Sequence, residues 1–244
     1  MYGVIGGSGL SRLDTLASPR QLAVATPYGE PSGPLTCGLM RSVAVVFLPR
    51  HGYGHTIAAH RINYRANIWA LKDAGVREIV SVASVGGIRP DLTPGRLVVP
   101  HQIVDYTWGR ESSFFEGDAC VTHIDFTNPF SPLLRAKIMA AARSCGSAVI
   151  DGAVYATTQG PRLETAAEID RIERDGGEIV GMTGMPEAAL ARELGLEYAT
   201  LAVVANHAAG RGDSREGIHV QDIEKAMGLA KGTVTLILEA LVTS

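Results

Sequence analysis

The stretch Tyr2–Gly9, YGVIGGSG, decides how this 244-residue chain is read. An apolar run over Tyr2–Ile5 ends in Gly6-Gly7-Ser8-Gly9, the pattern of a buried strand delivered into a glycine loop. The same arrangement recurs along the chain. Val43–Leu48 (VAVVFL) runs into Pro49-Arg50-His51-Gly52, Glu78–Val85 (EIVSVASV) into Gly86-Gly87, and Tyr198–Ala205 (YATLAVVA) into Asn206-His207. Further strands are predicted over Leu97–Val104, broken at Pro100, and over Gly152–Thr158 and Glu178–Gly181. Helical spacing of apolar residues predicts helices over Arg61–Asp73, Pro132–Arg143, Glu164–Arg174, Glu187–Leu194 and His219–Val242. Strands alternating with helices predict an α/β fold with a largely parallel or mixed sheet. No linker, repeat or low-complexity tract interrupts the pattern, so residues 1–244 read as one domain. Tyr106–Phe130 is the exception, a polar, aromatic, turn-rich excursion of the length that usually serves function or a partner.

Composition narrows the function. The chain is 46% hydrophobic and 19% charged, with 22 basic against 25 acidic residues and a net charge of −3. A binder of nucleic-acid backbones shows a basic face, so that class is disfavoured, as is disorder. No apolar run reaches the roughly 20 residues that span a bilayer, and the first ten residues lack a signal peptide's basic region. Cys37, Cys120 and Cys145 are odd in number, scattered and without CxxC spacing, as expected of a reducing compartment. The expectation is a cytoplasmic protein without membrane or nucleic-acid partners.

In open α/β sheets ligands gather at the carboxyl ends of strands. Four such ends carry polar or glycine-rich residues here: Gly6–Gly9, Arg50-His51, Ser84–Gly87 and Asn206-His207. Gly7-Ser8-Gly9 offers backbone N–H groups and a hydroxyl to an anion. Arg50 offers a fork-shaped cation, and Ser84 and Thr183 offer further donors. Each has a plainer reading: a tight turn for GGSG, a surface pair for Arg50-His51. The glycine loop fails the dinucleotide pattern, since Arg12 occupies the third glycine position, and no GxxxxGK[ST] sequence is present. His51, His55 and His60 lack the carboxylate or cysteine of a recognised zinc spacing, so no metal is expected.

Taken together, the motifs carry more weight than they do singly. VIGGSGL (Val4–Leu10), PRHGYGH (Pro49–His55), NYRANIWAL (Asn63–Leu71), VGGI (Val85–Ile88), TQGPRLET (Thr158–Thr165) and GMTGMPEA (Gly181–Ala188) occur in one order along nearly the whole chain. In these motifs the chain resembles the trimeric purine nucleoside phosphorylases and methylthioadenosine phosphorylases. That resemblance implies an α/β/α sandwich around a mixed, partly barrel-like sheet, a homotrimer, and no cofactor, with inorganic phosphate as co-substrate. It implies that Ser8, Arg50, His51, Ser84 and Thr183 hold phosphate, that Met182 lies against the ribose, and that Glu164 and Asn206 read the base. Such a reaction develops positive charge on the ribosyl ring and negative charge on the departing purine, so it needs a phosphate cradle, a sugar clamp and a partner for the base.

The base-reading pair points to a 6-oxopurine. Ionised Glu164 accepts from the N1–H of hypoxanthine but would face a lone pair on adenine N1. Asn206 donates to O6 and accepts from a protonated N7, whereas relatives that cleave methylthioadenosine carry aspartates at the positions of Asn206 and Ala208. Outside the resemblance, Asn206 reads as a strand-end turn residue and Glu164 as a charge at a helix N-terminus. At the sugar end the resemblance aligns Val220, with Ile223 one turn on, where nucleoside phosphorylases keep a histidine for the 5′-hydroxyl. Apolar residues there suit a 5′-methylthio group, although a shift of one position brings in His219. His123 matches a histidine that reaches the neighbouring subunit's site. Two departures stand out: Leu163 replaces a base-stacking phenylalanine, and Ala83 replaces a polar residue beside the phosphate. The expected substrate is S-methyl-5′-thioinosine. The alternatives are a methylthioadenosine phosphorylase, a general 6-oxopurine nucleoside phosphorylase, and a non-catalytic purine-binding scaffold.

Overall fold

The computed structural model describes residues 1–116 and 121–244. In chain order the elements are β1 (Tyr2–Gly6), β2 (Ala17–Leu22), β3 (Leu35–Met40), β4 (Val43–Pro49), α1 (Tyr64–Asp73), β5 (Glu78–Gly87), β6 (Leu97–Val99), β7 (Gln102–Asp105), α2 (Pro132–Ser144), β8 (Val149–Asp151), β9 (Val154–Thr157), α3 (Ala166–Arg174), β10 (Ile179–Gly181), α4 (Glu187–Glu193), β11 (Glu197–His207) and α5 (Val220–Val242). All the described strands join one mixed sheet. Its spine is the parallel set β4–β1–β5–β11.

Period-two alternation along the spine sends side chains into two layers. Val4, Val80, Val82, Leu201 and Val203 face one way and pack with Leu134 and Ile138 of α2 and Ile237, Leu238 and Leu241 of α5. Ile5, Ile79, Ala83, Ala202 and Val204 face the other way, against Ile68 and Leu71 of α1 and Leu190 of α4. Covered on both faces, these strands read as continuous apolar runs. The result is an α/β/α sandwich.

The barrel-like part follows from β5. Its first half pairs with β1, and its last residues, Gly86 and Gly87, pair antiparallel with β10. On its other side β11 leads to β6 and then β8. The chain continues from β8 through Gly152, at φ +94°, into β9, which pairs with β10. The circuit β5–β11–β6–β8/β9–β10 therefore closes on itself.

Every predicted helix is present. Three strands were not predicted: β2, β3 and β8. β2 is a wholly exposed edge strand of sequence ASPRQL, without hydrophobic alternation. β11 is longer than predicted and includes Asn206 and His207. Residues 106–116 and 121–130 carry no helix or strand, while Cys120 lies outside the described residues. Cys37 and Cys145 carry free thiols. No described helix is long and apolar enough to cross a membrane.

Candidate active site

Because β4, β1, β5 and β11 are parallel neighbours, their carboxyl ends lie along one edge of the sheet. A cleft of about 480 Å³ opens there. At one end of it lie Ser8, Arg50, His51, Ser84 and Thr183; Met182, Leu163, Glu164, Asn206, Val220 and Ile223 are also in its wall. His123 does not line it and is exposed on the excursion.

The glycine loop is a tight turn closed by Leu10 N–H donating to the Gly7 carbonyl at 3.0 Å, with Gly9 at φ +75° where a side chain would be strained. Gly7 admits no side chain either. A Cβ there would stand 2.6 Å from the Val82 carbonyl oxygen and 2.8 Å from Arg50 Nη1.

Arg50 is fully buried, and most of its fork is engaged within the protein, although the residue lines the cleft. Nε and Nη2 donate to the two oxygens of Glu187 at 2.7 and 2.9 Å, Nη2 also to Ser81 Oγ at 2.6 Å, and Nη1 to the Val82 carbonyl at 3.0 Å. Nη1 keeps one further proton beside Gly7. Burial works against the Arg50 charge, and Glu187 more than offsets it. Glu187 itself also accepts from Ser81 Oγ and the Tyr198 hydroxyl, at 2.9 and 2.8 Å. A buried carboxylate with these partners is the expected solution to burying a charge.

His51 is neutral at pH 7. Burial, with the Arg50 charge adding to it, lowers its pKa to about 4. Its Nδ1 lies 2.8 Å from the Ile57 carbonyl, which only accepts, so Nδ1 holds the proton and Nε2 presents a lone pair. Its ring centroid is 4.5 Å from that of His55. Among the described residues no three His, Cys, Asp or Glu side chains group as a metal site would.

At the other end, Glu164 precedes α3 rather than starting it. The helix is capped by Thr165 in reciprocal hydrogen bonds with Glu168, so Glu164 is not spent on the helix dipole. Thr158 Oγ1 donates to Glu164 Oε1 at 2.5 Å. Burial raises the Glu164 pKa, and this hydrogen bond opposes the rise. Asn206 follows a register shift in β11 between Val204 and Asn206, the kind of bulge that re-aims a side chain beside a site. Its Nδ2 donates to the His207 carbonyl at 2.6 Å, which leaves the second amide proton and Oδ1. Ala208 is buried in the same wall. Met182 packs on Gly160, where a Cβ would stand 2.5 Å from its sulfur.

Val220 and Ile223 stand in the cleft wall, whereas His219 lines a neighbouring cavity of about 670 Å³ that shares Ala205, Asn206 and Ile218 with the cleft. That larger cavity holds neither the glycine loop nor Arg50. Sequence reading missed Glu187, which reads only as the first residue of a helix, and Arg110, a lone arginine in the excursion. Glu187 lies within the GMTGMPEA motif, but nothing in the motif marks it as the partner of Arg50, and no local signal marks Arg110.

A sequence profile of the phosphorylase superfamily matches residues 1–243. The chain belongs to that superfamily. This phosphorylase is 53% identical over 245 residues to a probable S-methyl-5′-thioinosine phosphorylase of Pseudomonas syringae pv. tomato, covering 98% of this chain and 99% of that one. It is 42% identical to a 6-oxopurine nucleoside phosphorylase of Pyrococcus furiosus, covering 98% and 91%. Among solved structures, a methylthioadenosine phosphorylase from Schistosoma mansoni in complex with adenine superposes with a TM-score of 0.94 at 34% identity, covering 99% of this chain and 90% of that one.

Proposed function

We propose that this phosphorylase cleaves S-methyl-5′-thioinosine with phosphate, releasing hypoxanthine and 5-methylthioribose 1-phosphate. It is a purine nucleoside phosphorylase-type pentosyltransferase that acts in purine salvage. One observation carries the choice of base: Glu164 and Asn206 line one cleft with Ala208, and among the described residues Glu164 is the one carboxylate in its wall. The Glu164 carboxylate accepts N1–H, and the free Asn206 proton donates to O6. The apolar Val220/Ile223 end suits the methylthio group, where a methylene-sized group gains about 0.8 kcal/mol on burial.

Phosphate is received by Ser8, Ser84, Thr183 and the remaining Nη1 proton of Arg50. The lone pair on His51 Nε2 accepts the hydrogen of a protonated phosphate oxygen. A second phosphate oxygen attacks the anomeric carbon as the bond to N9 breaks, and the purine leaves with the bonding pair and takes up a proton from solvent water. Met182 lies against the sugar, and Leu163 supplies an aliphatic face to the base. The phosphorylase works as one domain over residues 1–244, in the cytoplasm and as a homotrimer, with His123 reaching a neighbour's cleft.

The test is phosphate-dependent base release from methylthioinosine, methylthioadenosine, inosine and adenosine in parallel. Methylthioinosine is expected to have the highest kcat/KM. A lead for methylthioadenosine refutes the base assignment, equal rates on inosine refute the sugar assignment, and release without phosphate refutes phosphorolysis.

A further inference from the structure

Arg110 sits in the excursion, where neither a helix nor a strand holds it. Its guanidinium meets six oxygen acceptors, and no carboxylate is among them. Nε donates to Gln159 Oε1 at 3.2 Å, and Nη2 to the carbonyls of Thr158 and Gln159 at 3.2 and 2.9 Å. Nη1 reaches the carbonyls of Met182 and Met185 at 2.9 and 2.5 Å and the Tyr64 hydroxyl at 3.2 Å. The guanidinium also lies over the Tyr64 ring, 5.4 Å from its centroid.

These acceptors belong to two loops that are separate in the chain. Thr158 and Gln159 open the loop that ends at Glu164, and the hydroxyl of Thr158 is the group that holds the Glu164 carboxylate. Met182 and Met185 bracket the turn that carries Thr183 and leads into α4, whose first residue, Glu187, grips Arg50. Five N–H protons on a rigid plane thus tie the base-reading loop to the loop of the sugar and phosphate contacts. A half-buried arginine without an anionic partner gives up water that its hydrogen bonds must replace, and here four of its six acceptors are backbone carbonyls. Such a pattern fixes the position of chain segments and leaves no proton for a ligand.

We propose that Arg110 is a positioning residue that sets the spacing between Glu164 and the Met182–Thr183 turn, and so makes recognition of the base and attack at the sugar depend on one side chain. The inference rests on the site reading above. Lysine cannot replace it, because a single ammonium cannot span both loops as the planar fork does.

The test is kinetic, on the full-length chain. Arg110→Ala and Arg110→Lys are assayed on whichever of the four nucleosides the wild type prefers, so that an error in the substrate reading appears in the wild type alone. Misplacement of the order of 1 Å costs about 100-fold, and a loss of that size in kcat/KM is expected for Arg110→Ala, with a fall in kcat as well as a rise in nucleoside KM. Arg110→Lys is expected to stay closer to the alanine variant than to the wild type. Guanidinium ion at sub-denaturing concentration is expected to restore Arg110→Ala saturably and leave Arg110→Lys unchanged. Wild-type kinetics in Arg110→Ala overturn the proposal. So does a loss that guanidinium leaves untouched, whether or not circular dichroism shows a changed fold.

Discussion

The two ends of the cleft are built differently. The phosphate end is made of strand termini and buried groups: the Gly7–Leu10 turn, an Arg50 with no exposed surface, and His51 locked to the Ile57 carbonyl. The nucleoside end is made of loops, the terminus of β11 at Asn206 and the first turn of α5, and stays open, with Leu163 39% and Val220 59% exposed. In the proposed reading rigid strand ends would serve the step common to phosphorolysis, whereas the residues that would choose a base and a sugar, Asn206 of β11 apart, stand on segments that tolerate change. A change at the first end should therefore cost folding along with activity, and a change at the second should redirect activity at little cost in folding.

The largest effect is expected from Glu187→Gln, which leaves the buried Arg50 cation without its counter-charge. Breaking such a pair costs about 3–5 kcal/mol, to be read from urea denaturation, together with a raised KM for phosphate. If stability is unchanged, the two ends do not differ in the way described. A pH titration of stability comes next. His51 has its pKa lowered to about 4, so the fold favours the neutral ring. Its contribution is complete above the unfolded value near 6.5 and is lost as pH falls towards 4, a loss of up to about 3 kcal/mol. In His51→Asn that acid limb should flatten.

At the open end, Asn206→Asp should move the ratio of 6-oxo to 6-amino kcat/KM towards adenine nucleosides by about 100-fold, or about 2.7 kcal/mol, with the denaturation midpoint nearly unmoved. An unchanged ratio would remove Asn206 from base recognition. Smallest of all, Val220→Thr should raise the KM for methylthioinosine by about threefold, less than 1 kcal/mol, and leave inosine alone. A larger loss on inosine than on methylthioinosine would place the 5′ group elsewhere.

The same contrast governs what could be read from sequence. The spine strands announce themselves because burial on both faces makes them continuous apolar runs, and each ends in glycine or a polar pair that marks the site. β2 has no such signal: its order comes from pairing with β3, not from its own side chains. The residues proposed to hold phosphate stand out by type, but the burial of the Arg50 fork was not legible, since its partner Glu187 lies 137 positions away. The bulge that aims Asn206 was invisible for a related reason, because register is a property of two strands together. Arg110 was hidden most completely, as four of its six acceptors are backbone carbonyls, which every residue possesses.

The enclosed Arg50–Glu187 pair has a consequence for how phosphate arrives. With its cation already balanced and His51 uncharged, the proposed cradle projects little field into the solvent, so it would hold the anion by short hydrogen bonds once seated and do little to draw it in. Surface anion sites weaken as the screening length shrinks from about 10 Å at 0.1 M salt towards about 3 Å at 1 M. Here phosphate capture should be nearly indifferent to ionic strength.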